Sequence, residues 1–290
     1  MVHLAATGGL ALPVGEPWTS PPLPQVRGHP SGEGFRREPA VSGPGDTVTL
    51  AVFDFDGTLI EGDAGVHFAR HMIQKGYLDA ITDGSIASRA WQLTRMNWAT
   101  ARLLFDHARL HLGYERGDID RRQMVQSAYA NFDGLDPATV ADEMDRFARD
   151  KLPAKLRPNV VDRLGQHAAE GDHVLVLSTG LHDLIWPLRE ETGHAFEVVA
   201  CHLKQREGEL TGQVTGPTTG AEKATRLVAV ARRSGHDLDE AYAYADHETD
   251  ADMLEVVGNP VAVHPTDEMR RRAREEGWPI LERGRLEPNG

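Results

Sequence analysis

TVTLAVFDFDGT, residues 47–58, consists of the apolar, β-branched run VTLAVF (48–53) followed by a polar turn. The run predicts a fully buried β-strand. Asp54 and Asp56 then point to the same side of a turning backbone. One carboxylate can attack a phosphorus atom while the other donates a proton to the leaving oxygen. Because a carboxylate repels a phosphate dianion, this chemistry needs a hard cation, and Mg²⁺ fits best. The structural alternative is a strand followed by an Asx or type I turn.

From about Pro158 onward, strand-like and helical segments alternate. The strand-like segments DHVLVLSTG, FEVVACHL, AYAYAD and NPVAVHP are separated by helical ones such as NVVDRLGQHAAEG and TGAEKATRLVAVARRSG. This alternation predicts an α/β fold, a three-layer, doubly wound parallel sheet that binds ligands at the carboxyl ends of its strands. Four polar residues stand at such ends: Asp54, Asp56, Ser178 and Asp246. We therefore expect them to meet at one rim.

Three further elements fit a phosphate site when taken together. Ser178 and the backbone N–H groups of the LSTG turn (177–180) can cradle a phosphate, although such residues are more often simple helix caps. Lys223, near a predicted helix start, can neutralise a phosphoryl group and the nucleophile, whereas most helical lysines are solvated. Asp246 and Asp250 can supply a metal ligand and a group that orients metal-bound water. Alone, these two acids would indicate an acidic helix N-terminus.

Composition divides the chain into segments. Residues 1–46 hold eight of the 17 prolines and lack helical or strand periodicity, which predicts a disordered Pro/Gly-rich leader. Residues 64–154 carry apolar residues at helical spacing and predict an inserted helical cap. Residues 47–63 and 155–290 then form the catalytic core.

Charge and composition exclude several classes of function. The formal net charge of -13 argues against a nucleic-acid partner. No apolar run approaches the roughly 18 residues that a membrane span requires, and the N-terminus lacks the basic region of a signal peptide. The single cysteine, Cys201, rules out an intrachain disulfide and a Cys-based metal site. We expect a soluble protein in the reducing cytoplasm, and nothing in the sequence indicates its oligomeric state.

The order of these elements resembles a known family. DFDGTLI (54–60), Ser178, Lys223 and the Asp246/Asp250 pair resemble the four motifs of the haloacid dehalogenase (HAD) superfamily, over roughly residues 48–283. The helical insert is similar to the small cap of subfamily IB, the phosphoserine-phosphatase-like branch. The resemblance implies a Mg²⁺-dependent phosphatase that acts on a small phosphomonoester through an aspartyl-phosphate intermediate.

The resemblance also implies roles for single residues. Asp54 would be the nucleophile and Asp56 the general acid/base. The residues implied to contact the phosphoryl group are Thr58, Ser178, Thr179 and Lys223. The residues implied to hold Mg²⁺ are Asp54, Asp56 through its backbone carbonyl, Asp246, and Asp250 through a ligand water. An acid at position 56 favours phosphate-ester hydrolysis, because dehalogenases lack it and ion-pumping ATPases carry threonine there.

Departures from the family pattern leave the substrate open. Ala245 replaces the usual glycine of the fourth motif, and Thr249 stands where phosphoserine phosphatases have asparagine. Asp63, implied to contact the substrate amine, is one methylene shorter than the usual glutamate. Phosphoserine is therefore a candidate substrate only. Two other functions stay open: a phosphotransferase or mutase that uses the same aspartates, and a non-catalytic protein that binds a phosphorylated ligand. His67 and His71, four residues apart, are interpreted as a chance pair rather than a zinc site.

Overall fold

The computed structural model describes residues 48–77, 121–282 and 285–287. The predicted leader and residues 78–120 of the predicted cap lie outside the described residues. The strands are β1 (Leu50–Phe53), β2 (His173–Leu181), β3 (Glu197–Arg206), β4 (Glu209–Thr215), β5 (Tyr242–Ala245), β6 (Asn259–Val263), β7 (Ile280–Glu282) and β8 (Arg285–Glu287). Within the described ranges they form one sheet in the order β4-β3-β2-β1-β5-β6-β7-β8.

β1 lies at the centre of this sheet. It pairs in parallel with β2 and β5, and Val52 lies opposite Leu175 on one side and Ala243 on the other. β2 with β3, β5 with β6 and β6 with β7 are also parallel. Since the carboxyl ends of parallel strands share one edge, the residues that follow β1, β2 and β5 are brought to the same rim.

The helices cover both faces of the sheet. They are α1 (Ala64–Lys75), α2 (Arg121–Tyr129), α3 (Pro137–Lys151), α4 (Pro158–Glu170), α5 (His182–Ile185), α6 (Leu188–Thr192), α7 (Gly220–Ser234), α8 (Ala251–Glu255) and α9 (Asp267–Glu276). Asp136 is the N-cap of α3, because its carboxylate accepts a hydrogen bond from the Thr139 backbone N–H at 2.8 Å.

Alternate residues of β1 belong to different apolar clusters. Phe53 packs with residues of α1, α3 and α4 such as Phe68, whereas Val52 packs with residues of α7, α8 and α9 such as Leu227. All four residues of β1 are fully buried, as expected for a strand covered on both faces. The prediction of a three-layer α/β fold built on a doubly wound sheet is therefore confirmed.

Two antiparallel pairs at the sheet edges were not expected from the sequence. β3 runs beyond the predicted FEVVACHL segment and turns back into β4 through Glu207 and Gly208, both at positive φ. β7 pairs with β8 in the same antiparallel way. The edge segment ELTGQVT alternates polar and apolar residues and contains a glycine, so its strand signal is weak.

Glycine and proline mark the ends of several helices. α4 ends at Gly171, which adopts a left-handed conformation as the C-cap. Pro187 separates α5 from α6, as expected of a proline within a helical pattern. In the described part of the chain, every helix is too short or too polar to cross a lipid bilayer.

Candidate active site

Asp54 and Asp56 emerge from the end of β1 into the rim. Asp54 is 3% exposed, and its backbone N–H donates to the Tyr244 carbonyl at 2.9 Å, which continues the pairing with β5. Gly57 then turns the chain at φ +81°. A Cβ at Gly57 would lie 2.2 Å from an Asp246 carboxylate oxygen, so only glycine allows the turn and the aspartate to approach so closely.

Three carboxylates converge at this turn. Asp54, Asp246 and Asp250 each offer an oxygen, and these oxygens lie within 4.8 Å of one another. Burial raises the pKa of Asp54 to about 6 against the opposing charge of Lys223. Burial, together with the charge of Asp54, raises the pKa of Asp246 to about 7. A crowded, largely buried set of oxygen donors whose ionised forms repel one another fits a hard divalent cation such as Mg²⁺.

Lys223 reaches two of these carboxylates from α7. Its Nζ lies 2.5 Å from Asp54 Oδ1 and 2.8 Å from Asp250 Oδ1, and the residue is 2% exposed. Burial alone would lower the pKa of Lys223, but the charges of Asp250 and Asp54 outweigh it and raise the pKa. Lys223 is therefore a cation held beside the predicted nucleophile. This position allows the neutralising role that is expected of Lys223 from the sequence.

A close backbone approach aligns Lys223 with the acids. The 3-10 turn Glu248–Asp250 precedes α8, and Gly220 is the first residue of α7. A Cβ at Gly220 would lie 1.9 Å from the Thr249 carbonyl oxygen. The absence of a side chain at Gly220 thus lets α7 pack directly against the turn that carries Asp250.

Gly220→Ala is expected to damage the site through this contact. The added methyl must displace backbone, so we expect the free energy of unfolding to fall by about 2 kcal/mol. Any activity of the site should fall about tenfold, because Lys223 and the carboxylates shift relative to one another. Gly165→Ala, within α4, is the matched control. Its methyl would meet the partly exposed His194 ring, a side chain that can move aside. Urea unfolding and initial rates measure both variants, and equal effects would contradict this account.

The LSTG segment (177–180), predicted as a turn after a strand, is instead part of β2, whose pairing with β3 shifts register between Leu177 and Leu181. It lies beside the first motif. Ser178 is buried, and its hydroxyl accepts a hydrogen bond from the Gly180 backbone N–H at 2.8 Å. A Cβ at Gly180 would lie 2.9 Å from Asp56 Oδ2, so this end of β2 approaches the predicted acid/base directly. Thr179 is half-buried in the same part of β2. The Thr58 hydroxyl donates to Asp246 Oδ1 at 3.0 Å, and its predicted contact with a phosphoryl group remains a prediction.

Asp56 has a different environment from Asp54. Its Oδ1 accepts a hydrogen bond from the Ala64 backbone N–H at 2.7 Å, at the start of α1. Burial, followed by the charge of Asp63, raises the pKa of Asp56 well above its ordinary value. Asp63 is itself the N-cap of α1, where its Oδ1 accepts from the Val66 N–H at 2.9 Å. The site thus holds one carboxylate paired with a lysine and a second, Asp56, whose pKa is raised by burial and by the charge of Asp63.

Sequence reasoning did not identify two neighbours of the site. The Arg157 guanidinium donates from Nε to the Gly57 carbonyl at 3.1 Å and so braces the turn from outside. The Tyr129 hydroxyl and Asp63 Oδ1 both lie within 3.4 Å of the point where a Cβ of Gly65 would stand. No sequence signal distinguishes Arg157 from a solvated residue before a helix or Tyr129 from a packing residue, because both contacts depend on tertiary approach.

Comparison with known sequences identifies a family. The profile of haloacid dehalogenase-like hydrolases matches residues 51–255, which include all the predicted motif residues. The chain is 31% identical to the inhibition of morphological differentiation protein of Streptomyces azureus, over 58% of this chain and 69% of that protein. It is 26% identical to a histidinol-phosphatase of Neisseria meningitidis, over 80% of this chain and 97% of that protein. It is 25% identical to a phosphoserine phosphatase of Mycobacterium tuberculosis, over 85% of this chain and 73% of that protein.

Solved structures share the fold. A Bordetella pertussis protein of unknown function superposes with a TM-score of 0.64 and 24% identity, covering 81% of this chain and 99% of that one. A phospho-aspartyl intermediate analogue of phosphoserine phosphatase superposes with a TM-score of 0.57 and 17% identity, covering 83% of this chain and 95% of that one. At these identities the likeness shows the α/β fold alone.

Proposed function

Because the chain belongs to the haloacid dehalogenase-like hydrolase family, we propose that it hydrolyses a small phosphomonoester with Mg²⁺, through an aspartyl-phosphate formed on Asp54. The observation that carries this proposal is the position of Lys223, which contacts both Asp54 and Asp250 within a group of three convergent carboxylates. A lysine in this position lowers the repulsion between the nucleophilic carboxylate and a phosphate dianion.

The metal would be held by the carboxylates of Asp54 and Asp246, with Asp250 orienting a ligand water and the Asp56 backbone carbonyl as a further ligand. When bound, Mg²⁺ would neutralise charge on the phosphoryl oxygens. Charge balance supports this assignment, because the three acids outnumber the lysine that contacts two of them. Thr58, Ser178 and Thr179 would supply hydroxyl and backbone donors to the phosphoryl oxygens.

Asp56 would act as the general acid and then as the general base. Its raised pKa keeps the proton that the leaving alkoxide needs. After the alcohol leaves, the ionised Asp56 can take a proton from the water that attacks the phosphorus of the aspartyl-phosphate. The bond between that phosphorus and the Asp54 oxygen breaks, which restores the Asp54 carboxylate and releases inorganic phosphate.

Substrate choice is proposed only at the level of a small phosphorylated metabolite, of which phosphoserine is the first candidate. Asp63 lies beside Asp56 and could bind a substrate ammonium group. Relatives named for histidinol phosphate and for phosphoserine both cover most of this chain, so the family match does not choose between them. The division into a helical cap (64–154) and a catalytic core (47–63 and 155–290) remains a prediction. A cytoplasmic enzyme without nucleic-acid or membrane partners remains the expectation.

The test is phosphate release from a panel of phosphomonoesters, including phosphoserine, histidinol phosphate, and sugar and polyol phosphates. We expect turnover of one ester class with Mg²⁺, and its loss in EDTA with recovery when Mg²⁺ is added back. Adding a second alcohol separates hydrolysis from phosphotransfer, since a mutase or transferase would phosphorylate that alcohol. Folded protein that releases no phosphate from any ester, or that works equally well in EDTA, would contradict the proposal.

A further inference from the structure

A cavity of about 290 Å³ lies beside α1 and the C-terminal end of α3, and its described lining residues do not include Asp54, Asp246 or Asp250. Its walls come from α1, from α3 and from the short turn that follows α3. The lining residues are His67, Arg70, His71, Gln74, Phe147, Lys151, Leu152 and Lys155. This volume is near the lower end of the range for small-molecule pockets.

Among the described residues, the cavity wall carries cations and no acid. Arg70, Lys151 and Lys155 each contribute a positive charge, although the chain as a whole has a formal net charge of -13. None of these three side chains forms an ion pair with another described residue. Unpaired like charges around a concave surface repel one another and attract a counterion, so the cavity has the electrostatic character of an anion site.

The side chains between these cations are held in place by buried contacts. His71 Nε2 lies 2.9 Å from Glu143 Oε2, and the Arg146 guanidinium lies 2.5 Å from Glu143 Oε1. Glu143 is 3% exposed, so it fixes the His71 ring from behind. Phe147 and Leu152 are buried and form an apolar floor. A cationic rim over an apolar floor suits an organic anion with a compact carbon body.

Helix-end electrostatics explain only part of this pattern. Lys151 is the last residue of α3, where a cation complements the helix dipole. That preference does not account for Arg70, which faces the cavity from α1, or for Lys155, which faces it from the following turn. Three separate elements therefore direct cations into one space.

We propose that this cavity is a second binding site, for a small polyanion that carries phosphate or carboxylate groups. The site borders the segment that follows the first motif. The Glu61 backbone N–H donates to the Lys155 carbonyl at 2.8 Å, and His67 Nε2 lies 3.1 Å from where a Cβ of Gly62 would stand. An anion held by Lys155 and His67 would therefore contact the chain that leads from Asp56 into α1.

The test is calorimetric titration of the full chain with pyrophosphate, and separately with citrate, in EDTA. Without metal the catalytic carboxylates repel both anions, so this experiment is independent of catalysis and of the proposed function. We expect saturable one-to-one binding of at least one anion, weakened at least about tenfold by Arg70→Glu and by Lys151→Glu, each of which replaces an attraction with a repulsion.

Lys75→Glu is the matched control, because Lys75 is exposed on α1 but does not line the cavity. It should bind as the wild type does. Lys151→Gln, a milder change, should weaken binding less than Lys151→Glu, with an unchanged circular dichroism spectrum. The inference is overturned by wild-type protein that binds neither anion, or by Lys75→Glu weakening binding as much as the two cavity variants.

Discussion

Asp54→Asn is expected to lower kcat by at least about a thousandfold. The amide keeps the size of the carboxylate but cannot attack phosphorus, so the covalent intermediate cannot form. The substitution also removes the charge 2.5 Å from Lys223 Nζ, while the contact of Lys223 with Asp250 at 2.8 Å remains. We therefore expect a folded protein that still binds substrate, and the measurement is steady-state phosphate release with Mg²⁺.

Asp142→Asn controls for the general effect of removing a carboxylate. Asp142 is exposed on α3. The activity and stability of Asp142→Asn should therefore match those of the wild type. Asp54→Asn that retains more than a tenth of the wild-type kcat would eliminate Asp54 as the nucleophile, even if the protein proved to be a phosphatase.

Lys223→Met is expected to affect both activity and stability. The variant leaves Asp54 and Asp250 close together without their shared cation. Breaking a buried ion pair by removing one partner typically costs about 3 kcal/mol or more, and loss of charge stabilisation should lower kcat about a hundredfold. Added Mg²⁺ should raise the melting temperature of the variant more than that of the wild type, because a bound cation replaces part of the missing charge.

The stability loss in Lys223→Met should depend on pH. Burial already raises the pKa of Asp54 to about 6 with the lysine present, above the ordinary value of 3.8. A carboxyl with a raised pKa binds protons more strongly in the folded state, so stability falls as pH rises through that pKa. Without Lys223 the pKa rises further, and the difference from wild type should grow from pH 5 to pH 8.

Chemical unfolding at several pH values, with and without Mg²⁺, measures both effects of Lys223→Met. Lys204→Met is the matched control, because Lys204 is exposed on β3 and should tolerate the change. A stability loss in Lys223→Met that is constant between pH 5 and pH 8 would show that Lys223 stabilises the fold by packing rather than by charge.

The meeting of the candidate site residues at one rim could be predicted because it depends on strand ends. Once TVTLAVF is interpreted as a buried parallel strand, Asp54 must lie beside the residues that follow the neighbouring strands. The order of the motifs then indicated the haloacid dehalogenase family, which the profile match confirms, together with the prediction of a hydrolytic enzyme. Roles within the rim followed from the family resemblance rather than from spacing.

The long-range contacts within the site could not be predicted from the sequence. Lys223 and Asp54 are 169 positions apart. The approach of Gly220 to the Thr249 carbonyl, which packs α7 against the turn that carries Asp250, has no local sequence signature. The cationic cavity depends in the same way on how α1 meets the end of α3. Arg70 and Lys155 look like ordinary surface residues in the sequence, and only packing brings them together.

The central claim, a covalent phosphoryl group on Asp54, can be tested by chemical trapping. The wild-type enzyme is mixed with its best substrate and Mg²⁺, quenched in acid during turnover and reduced with borohydride, which converts an aspartyl-phosphate into homoserine. Peptide mass spectrometry then locates the homoserine. We predict homoserine at position 54, dependent on substrate and Mg²⁺ and absent from Asp54→Asn. An actively hydrolysing enzyme that yields homoserine at another aspartate would contradict the account.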